Sequence, residues 1–246
     1  MKTKTIKQYN ICIMRKIKVC LYFTFLLLPA ISFCQTNYLE AGISGGSGMR
    51  ILSGKNIDNN YTDPAIGYHI GGTLQYHFGK HISLRTDPSF EQKGNTDYLI
   101  ITDNVGNEID HLEAKNNLNY IVLPVLLQWS FGSRMAFTLH AGAFAGYLVR
   151  YNYIIPAFEI YPEQKFNRTG ATLIRRFDMG IAGGFGCQFP VKDNLSIFLE
   201  ARINAGLYNM NNYSVFEGVH TNSVNLTMGI KYKFTKRTDL QESAMQ

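Results

Sequence analysis

The ten residues Leu195-Ser196-Ile197-Phe198-Leu199-Glu200-Ala201-Arg202-Ile203-Asn204 decide the fold class. Every second residue from Leu195 onward is apolar, whereas the intervening set includes Glu200, Arg202 and Asn204. A period of two is typical of a β-strand whose two faces meet different surroundings. The segment therefore predicts a strand with one apolar face and one largely polar face.

The same alternation recurs in eight segments between residues 39 and 234. Their apolar phases run over residues 39–49, 66–78, 82–90, 121–131, 135–147, 177–189, 195–207 and 224–234. The opposite phase carries glycines and charges of both signs. A soluble barrel places apolar side chains inside and a membrane barrel places them outside, and alternation alone does not separate these cases.

Aromatic residues near the ends of the apolar phase favour the membrane arrangement, because they form the interfacial girdles of such barrels. These residues are Tyr76, Phe78, Trp129, Phe131, Tyr232 and Phe234. The mixed charges of the opposite phase fit a paired interior. The sequence thus predicts an all-β fold, an eight-stranded antiparallel up-and-down transmembrane β-barrel.

Short and long connections alternate along the chain. Gly79-Lys80, residues 132–134 and residues 190–194 predict short turns. The segments near 51–65, 95–118, 149–174 and 209–221 are rich in Asn, Asp, Tyr and charge, and they predict long loops. Short periplasmic turns and long outer loops are typical of outer-membrane barrels, so both termini are expected in the periplasm.

Residues 1–34 have the layout of a secretory signal peptide. Six basic residues and no acid precede an apolar run at 19–31, which is shorter than the roughly 20 residues of a membrane-spanning helix. Cleavage is predicted before Gln35, and either Met1 or Met14 is the start. A lipoprotein carrying lipid on Cys34 is the competing interpretation, disfavoured by the bulky Phe33.

Removal of the predicted signal changes the charge of the chain. The precursor has 24 basic and 18 acidic residues, and the signal holds six of the basic residues and none of the acidic ones. The mature chain is therefore neutral, which gives no basis for predicting nucleic-acid binding. Of four cysteines only Cys187 remains, so no internal disulfide is expected. The predicted organisation is a signal at 1–34, one barrel domain at 35–234 and a periplasmic tail at 235–246.

Six motifs resemble those of a known family. They are LRTDPSFEQKG (84–94), YIVLPVLL (120–127), AGAFAGY (141–147), FDMGIAGGFG (177–186), AGLYN (205–209) and MGIKYKF (228–234). In this order they resemble the PorT-like outer-membrane β-barrel family, whose defining unit is an outer membrane protein beta-barrel domain. The resemblance covers residues 37–234 and implies an eight-stranded barrel without a shared activity. One family member assists a secretion system for surface proteins.

Charged residues of the opposite phase form a candidate interior ion-pair network. They are Arg85, Asp87, Glu91, Asp178, Glu200 and Arg202. An eight-stranded barrel is just wide enough for side chains to fill it, and buried charges must be paired. A structural plug is the favoured interpretation, and a narrow ion path or small-ligand site is the alternative.

Histidines supply the other candidate chemistry. His69, His77 and His140 take the inward phase, but His69 and His77 are roughly 26 Å apart along one strand and cannot share a metal. His111 and His220 lie on predicted loops beside Asp103, Asp110, Glu113 and Ser223, the residue types of a hydrolase, but no catalytic motif accompanies them. The sequence predicts no cofactor, no metal and no enzyme activity.

The third long loop combines aromatic residues with arginines, the usual anchors of binding surfaces. The candidate recognition surface comprises Tyr151, Tyr153, Phe158, Tyr161 and Arg168, with Phe166, Arg175 and Arg176 nearby. Any long loop beside lipid headgroups is also aromatic and basic, so both interpretations stay open. The predicted function is structural or interactive: a monomeric, integral outer-membrane barrel that supports anchoring, envelope assembly or secretion. Its expected partners are membrane lipid and envelope or secretion proteins. A narrow pore or ligand carrier is the first alternative and a hydrolase the second.

Overall fold

The computed structural model describes residues 37–54, 62–102, 105–158, 162–169, 174–210 and 218–234, apart from the side chain of residue 109. The predicted signal (1–34) and tail (235–246) lie outside the described residues. Eleven strands are described: β1 (Tyr38–Ser53), β2 (Thr62–Asp63), β3 (Ala65–His77), β4 (Ile82–Thr86), β5 (Ser89–Thr102), β6 (Glu108–Phe131), β7 (Ala136–Ile155), β8 (Gln164–Asn167), β9 (Phe177–Lys192), β10 (Leu195–Gly206) and β11 (His220–Phe234). In this part of the chain no helix is long and apolar enough to span a membrane.

The strand pairings close into a ring, and every pairing is antiparallel. β1 pairs with β3 on one side and with β11 on the other, and the order continues through β10, β9, β7 and β6. β4 and β5 together fill the position between β3 and β6. Their separation at Asp87-Pro88 follows from proline, which has no N–H to give to a sheet. The described residues therefore contain eight strand positions in the ring.

Side-chain exposure assigns the apolar phase to the outside of this ring. Ile66 is 79% exposed and Ile43 is 71% exposed, whereas Arg85 and Glu200 are each 2% exposed. This distribution is the reverse of a soluble barrel, and it confirms the predicted inversion of the two faces.

The outward apolar band has the height of a membrane. On β6 and β7 it extends from the Phe131–Phe137 pair to the Ile121–Tyr147 pair. Ten residue steps at about 3.3 Å, tilted by about 40°, give roughly 25 Å, the usual height of the apolar band in outer-membrane barrels. We call the end with residues 78–81, 132–135 and 193–194 the turn end, and the opposite end the loop end.

Two of the predicted long loops contain strand. β5 and β6 stay paired to Thr102 and Glu108, inside the predicted loop 95–118. β7 continues to Ile155 and pairs with β8, inside the predicted loop 149–174. Beyond the apolar band a strand has no need of an apolar face, so the period-two hydrophobic pattern stops while backbone pairing continues. The turn expected at 190–194 is also shorter, because Pro190 pairs with Ser196 within β9 and β10.

Inward glycines make room for large inward side chains on neighbouring strands. A Cβ added at Gly184 would clash with the Ala201 carbonyl oxygen and lie 2.8 Å from His140 Nε2. One added at Gly46 would clash with the Leu226 carbonyl oxygen and lie 2.9 Å from His69 Cε1. Gly180 stands beside the Phe144 ring in the same way. The glycines of the polar phase therefore mark positions where the backbone of one neighbouring strand and a large side chain of the other leave no room for a Cβ.

The face assignment predicts how stability responds to charge at different heights. Leu127, which is 58% exposed near the middle of the band, should cost about 2–4 kcal/mol when replaced by arginine, because the charge then faces hydrocarbon. Val224 lies at the loop-end border of the band, and Val224→Arg should cost about 0–1 kcal/mol. Urea unfolding in lipid vesicles measures both values. Equal costs at the two positions would contradict the placement of the band.

Candidate functional site in the barrel interior and at the loop end

The buried charges of the barrel are balanced. Among the described residues five cations and five anions are buried: Arg50, Arg85, Lys93, Arg202, Lys231, Glu40, Asp87, Glu91, Asp178 and Glu200. Charges removed from water are tolerated when each is close to an opposite charge or to several hydrogen-bond partners. The interior is therefore neutral overall, and it is organised into a few separate clusters.

Four of the six predicted network residues form one cluster. Arg85 Nε lies 2.8 Å from Asp87 Oδ1, and Arg85 Nη1 lies 2.5 Å from Glu200 Oε2. Arg202 Nη1 lies 2.8 Å from Asp87 Oδ2 and 3.9 Å from Glu200 Oε1. The Arg85 guanidinium also lies over the Phe198 ring, 4.9 Å from its centroid. The cluster joins β4, the β4–β5 connection and β10 across the barrel, so it holds distant strands together.

Glu91 and Asp178 lie outside that cluster. Glu91 accepts hydrogen bonds from Ser223 Oγ at 2.8 Å and from Asn225 Nδ2 at 3.2 Å, both on β11. Neutral donors thus satisfy this carboxylate where the prediction expected an ion pair.

Asp178 forms a second ion pair, with a cation that the sequence analysis did not select. Lys93 Nζ donates to Asp178 Oδ2 at 2.9 Å, and the Thr221 hydroxyl donates to the same oxygen at 2.6 Å. The ammonium also lies 4.4 Å from the Phe144 ring centroid and 5.3 Å from that of Tyr120. Lys93 continues the inward phase of Ser89 and Glu91, so the alternation contained a signal for it.

Lys231 and Glu40 complete the interior towards the turn end. Lys231 Nζ donates to Gln75 Oε1 at 2.6 Å and lies 4.5 Å from the Phe198 ring centroid. Glu40 lies 3.3 Å from His77 Nε2. These contacts fill the barrel between the Arg85 cluster and the turns.

An apolar cluster occupies the interior from mid-barrel to the loop end. Its buried members are Leu118, Tyr120, Val122, Leu126, Phe144, Leu148, Tyr151, Ala182 and Met210, and Leu52, Ile174 and Val219 pack against them. The sequence predicts a largely polar inward phase, and in this half of the barrel the interior is instead apolar. The sequence signal was the run Tyr120 to Leu127, in which nearly every residue of both phases is apolar.

The histidines do not form a shared site. His69 Nε2 is 2.9 Å from Thr227 Oγ1 and His77 faces Glu40, whereas neither ring nitrogen of the buried His140 has a hydrogen-bond partner in the described structure. No group of three or more His, Cys, Asp or Glu side chains is placed to hold a metal in this part of the chain.

The residues considered for a hydrolase are also dispersed. Ser223 faces inward on Glu91, His220 begins β11, and His111 pairs with Ile100 on the β5–β6 hairpin. Asp103 lies outside the described residues. In the described structure the Ser223 hydroxyl donates to Glu91 and makes no hydrogen bond to His111 or His220, so these residues do not form the Ser–His pair of a hydrolase.

A sheet extends from the barrel wall beyond the loop end of the apolar band. It comprises β2, β5, β6, β7 and β8 in that order, and β2 and β8 are its edges in the described structure. Phe90, opposite Ile121, marks the top of the band on β5, and the strand continues to Thr102, roughly 40 Å further along its axis.

Polar contacts tie this extended sheet together. Asn116 on β6 accepts from the Tyr151 hydroxyl at 2.8 Å and donates to Asp97 Oδ2 at 2.5 Å. Tyr98 donates to Asp63 Oδ2 at 2.6 Å, and this hydrogen bond raises the pKa of Tyr98. These hydrogen bonds join four neighbouring strands of the projecting wall, β2, β5, β6 and β7.

The predicted loop recognition surface divides between the interior and this sheet. Tyr151 is 8% exposed and belongs to the apolar cluster, so it is not part of an exposed surface. Tyr153 is half-buried beneath Arg168, whose guanidinium carbon lies 4.4 Å from the ring centroid. Burial raises the pKa of Tyr153. Phe158 is half-buried, and Tyr161 lies outside the described residues.

A closed antiparallel sheet with an apolar outer band and a buried, charge-balanced interior defines the class of integral outer-membrane β-barrels. A family model described as an outer membrane protein beta-barrel domain matches residues 33–212. The chain belongs to this family and is an integral protein of the bacterial outer membrane. The predicted family is confirmed at this level, and membership of the PorT-like group stays a prediction.

Other comparisons are distant. No curated protein matches the chain. Ail of Yersinia pestis, solved with the heparin analogue sucrose octasulfate, is 16% identical and aligns over 80% of this chain and 99% of its own, with a TM-score of 0.37. OprG of Pseudomonas aeruginosa is 12% identical over 81% and 96%, with a TM-score of 0.41. A major outer membrane protein of Thermus thermophilus is 10% identical over 81% and 100%, with a TM-score of 0.48. At these TM-scores none supports a conclusion about this chain.

The Lys93–Asp178 pair predicts that the stability effects of replacing its two members are strongly coupled. Asp178→Asn leaves an ammonium buried against two aromatic rings, so the free energy of unfolding should fall by about 3 kcal/mol or more. Lys93→Met should cost a similar amount, because it leaves the carboxylate unpaired. The double variant K93M/D178N should be more stable than the sum of the single losses predicts. Additive losses, measured by urea unfolding in lipid vesicles, would contradict the pairing.

Proposed function

We propose that this protein is a monomeric eight-stranded barrel of the PorT-like group whose interior is a structural plug. It is non-enzymatic, both of its termini are periplasmic, and it works by presenting the extended sheet to an envelope or secretion partner. The observation that carries this proposal is the extended sheet, which joins five strands well beyond the height that a membrane requires.

The filled interior supports a structural role for the barrel itself. The ion-pair cluster of Arg85 and Glu200 crosses the barrel at mid-height, and the apolar cluster lies between it and the loop end. An aqueous path would have to pass both layers. This arrangement favours the plug over the alternative of a narrow pore or small-ligand carrier.

The edges of the extended sheet supply a mode of recognition. In the described structure β8 ends the sheet on one side, and all four of its residues are exposed. An exposed strand edge offers unpaired N–H and C=O groups to an added strand, and alternate side chains give specificity. The proposed partner contact is therefore strand addition at β8, with Phe166 and Lys165 on the two faces of the strand.

The plug predicts an absence of conductance. Purified protein reconstituted in planar bilayers should produce no stepwise current at 1 M KCl, because charged and apolar side chains fill the interior. The control is the same preparation checked on a gel for the heat-dependent mobility of a folded barrel. Steps whose ion selectivity changes in Glu200→Gln would overturn the plug and favour the pore.

Because the extended sheet lies outside the apolar band, we expect that shortening it will abolish partner binding without preventing folding. Replacing residues 153–166 with Asn-Gly joins the paired residues Asn152 and Asn167 by a two-residue turn and removes the proposed β8 edge. We expect the shortened protein to insert and fold, since the apolar band is unchanged, and to lose its partner contacts.

Site-specific photo-crosslinking in intact cells measures that loss. A photoreactive residue at Arg168, which directly follows β8 and is present in both chains, should give a discrete protein adduct in the full chain and none in the shortened chain. The matched probe at the lipid-facing Leu127 should give no protein adduct in either. An identical adduct pattern in the full and shortened chains would contradict a role for the sheet.

A further inference from the structure

Charge is unevenly distributed around the loop end. The side formed by β2 and the β5–β6 hairpin carries Asp63, Asp97, Glu108, Asp110 and Glu113, with Lys115 as a cation. The side formed by residues 147–177 carries a basic set, with Glu163 as the acid among its described residues: Arg150, Lys165, Arg168, Arg175 and Arg176. None of these five cations lies within ion-pair distance of a carboxylate in the described part of the chain.

Arg176 stands at the loop-end border of the apolar band. Tyr147 and Phe177 face each other on β7 and β9, and both are exposed at the top of the band. Arg176 directly precedes Phe177, and its Nη1 lies 3.4 Å from the Tyr147 hydroxyl. The Arg176 carbonyl also accepts from Leu148 N at 2.7 Å, which holds the start of β9 against β7.

A β-bulge turns Arg150 towards the same surface. The even-numbered residues of β7 from Thr138 to Leu148 belong to the inward phase, so regular alternation would direct Arg150 inward. The register shifts between Asn119 and Tyr120, which leaves Val149 as an extra residue opposite them. As a result Val149 and Arg150 are both exposed, and Arg150 Nε donates to Asn152 Oδ1 at 3.3 Å. Bulges commonly re-aim one side chain in this manner.

We propose that Arg150 and Arg176 bind the phosphate group of a membrane lipid whose acyl chains pack on the apolar band below. Guanidinium groups are suited to phosphate, with which they form paired charge-assisted hydrogen bonds. The paired residues Tyr147 and Phe177 lie at the height where the acyl chains of the lipid end and the headgroups begin. This position favours a lipid over a soluble anion. Arg175, stacked 5.3 Å from the Tyr208 ring centroid, adds positive potential beside the site.

The test measures lipid retention by the full chain in maltoside micelles with native mass spectrometry. The probe is bisphosphorylated lipid A, and its dephosphorylated form, with the same acyl chains, is the matched ligand. The test variant is R150Q/R176Q. The matched control is K80Q/R134Q, which removes two exposed charges in the turns at the opposite end. Heat-dependent gel mobility reports folding of every variant.

The wild-type chain and K80Q/R134Q should retain the phosphorylated lipid in preference to its dephosphorylated form. R150Q/R176Q should lose about fivefold or more in apparent affinity, and each single variant part of that. Equal retention of the two lipids, unchanged affinity in both single variants, or an equal loss in K80Q/R134Q would overturn the proposal. Displacement of the lipid by 10 mM inorganic phosphate would assign the site to a soluble anion and overturn it as well.

Discussion

The antiparallel pairing of β1 with β11 is the interaction on which the rest of the structure depends. It runs from Leu39–Phe234 to Ser53–His220, and it joins the first described strand to the last. Hydrocarbon offers no hydrogen-bond partner to a sheet edge, so a sheet can cross a membrane only when it is closed. Closure then gives every strand two environments, lipid on the outside and a narrow shared interior on the inside. The alternation of the sequence matches them, since one phase faces lipid and the other faces the interior.

The narrow interior requires neutrality and complementary volume. Balanced buried charges satisfy the first requirement in local groups, such as the pair Lys93–Asp178 and the cluster around Arg85. Glycine opposite a large side chain satisfies the second, as at Gly229, where an added Cβ would lie 2.5 Å from the Phe198 ring. Beyond the apolar band these constraints do not apply. There the chain forms the extended sheet and a loop end with an acidic side and a basic side.

The alternation allows the fold, the faces and the inward position of Glu200 and Arg202 to be predicted, because the period of two is a local property. It does not identify partners across the barrel. Lys93 and Asp178 are 85 residues apart, and their meeting depends on strand register and tilt, which no local pattern encodes. The strands beyond the band lack the apolar phase by which a lipid-facing strand is identified, so their sequence predicts loops. The exposed position of Arg150 depends on a single bulge.

The most direct test of the account is membrane fractionation followed by a gel of unboiled and boiled samples. A closed barrel that faces lipid should be found in the outer-membrane fraction, with the unboiled band migrating differently from the boiled one, because closure keeps the folded barrel compact in detergent. Recovery as a soluble periplasmic protein without any heat-dependent shift would contradict the account, since the polar phase would then have to face water.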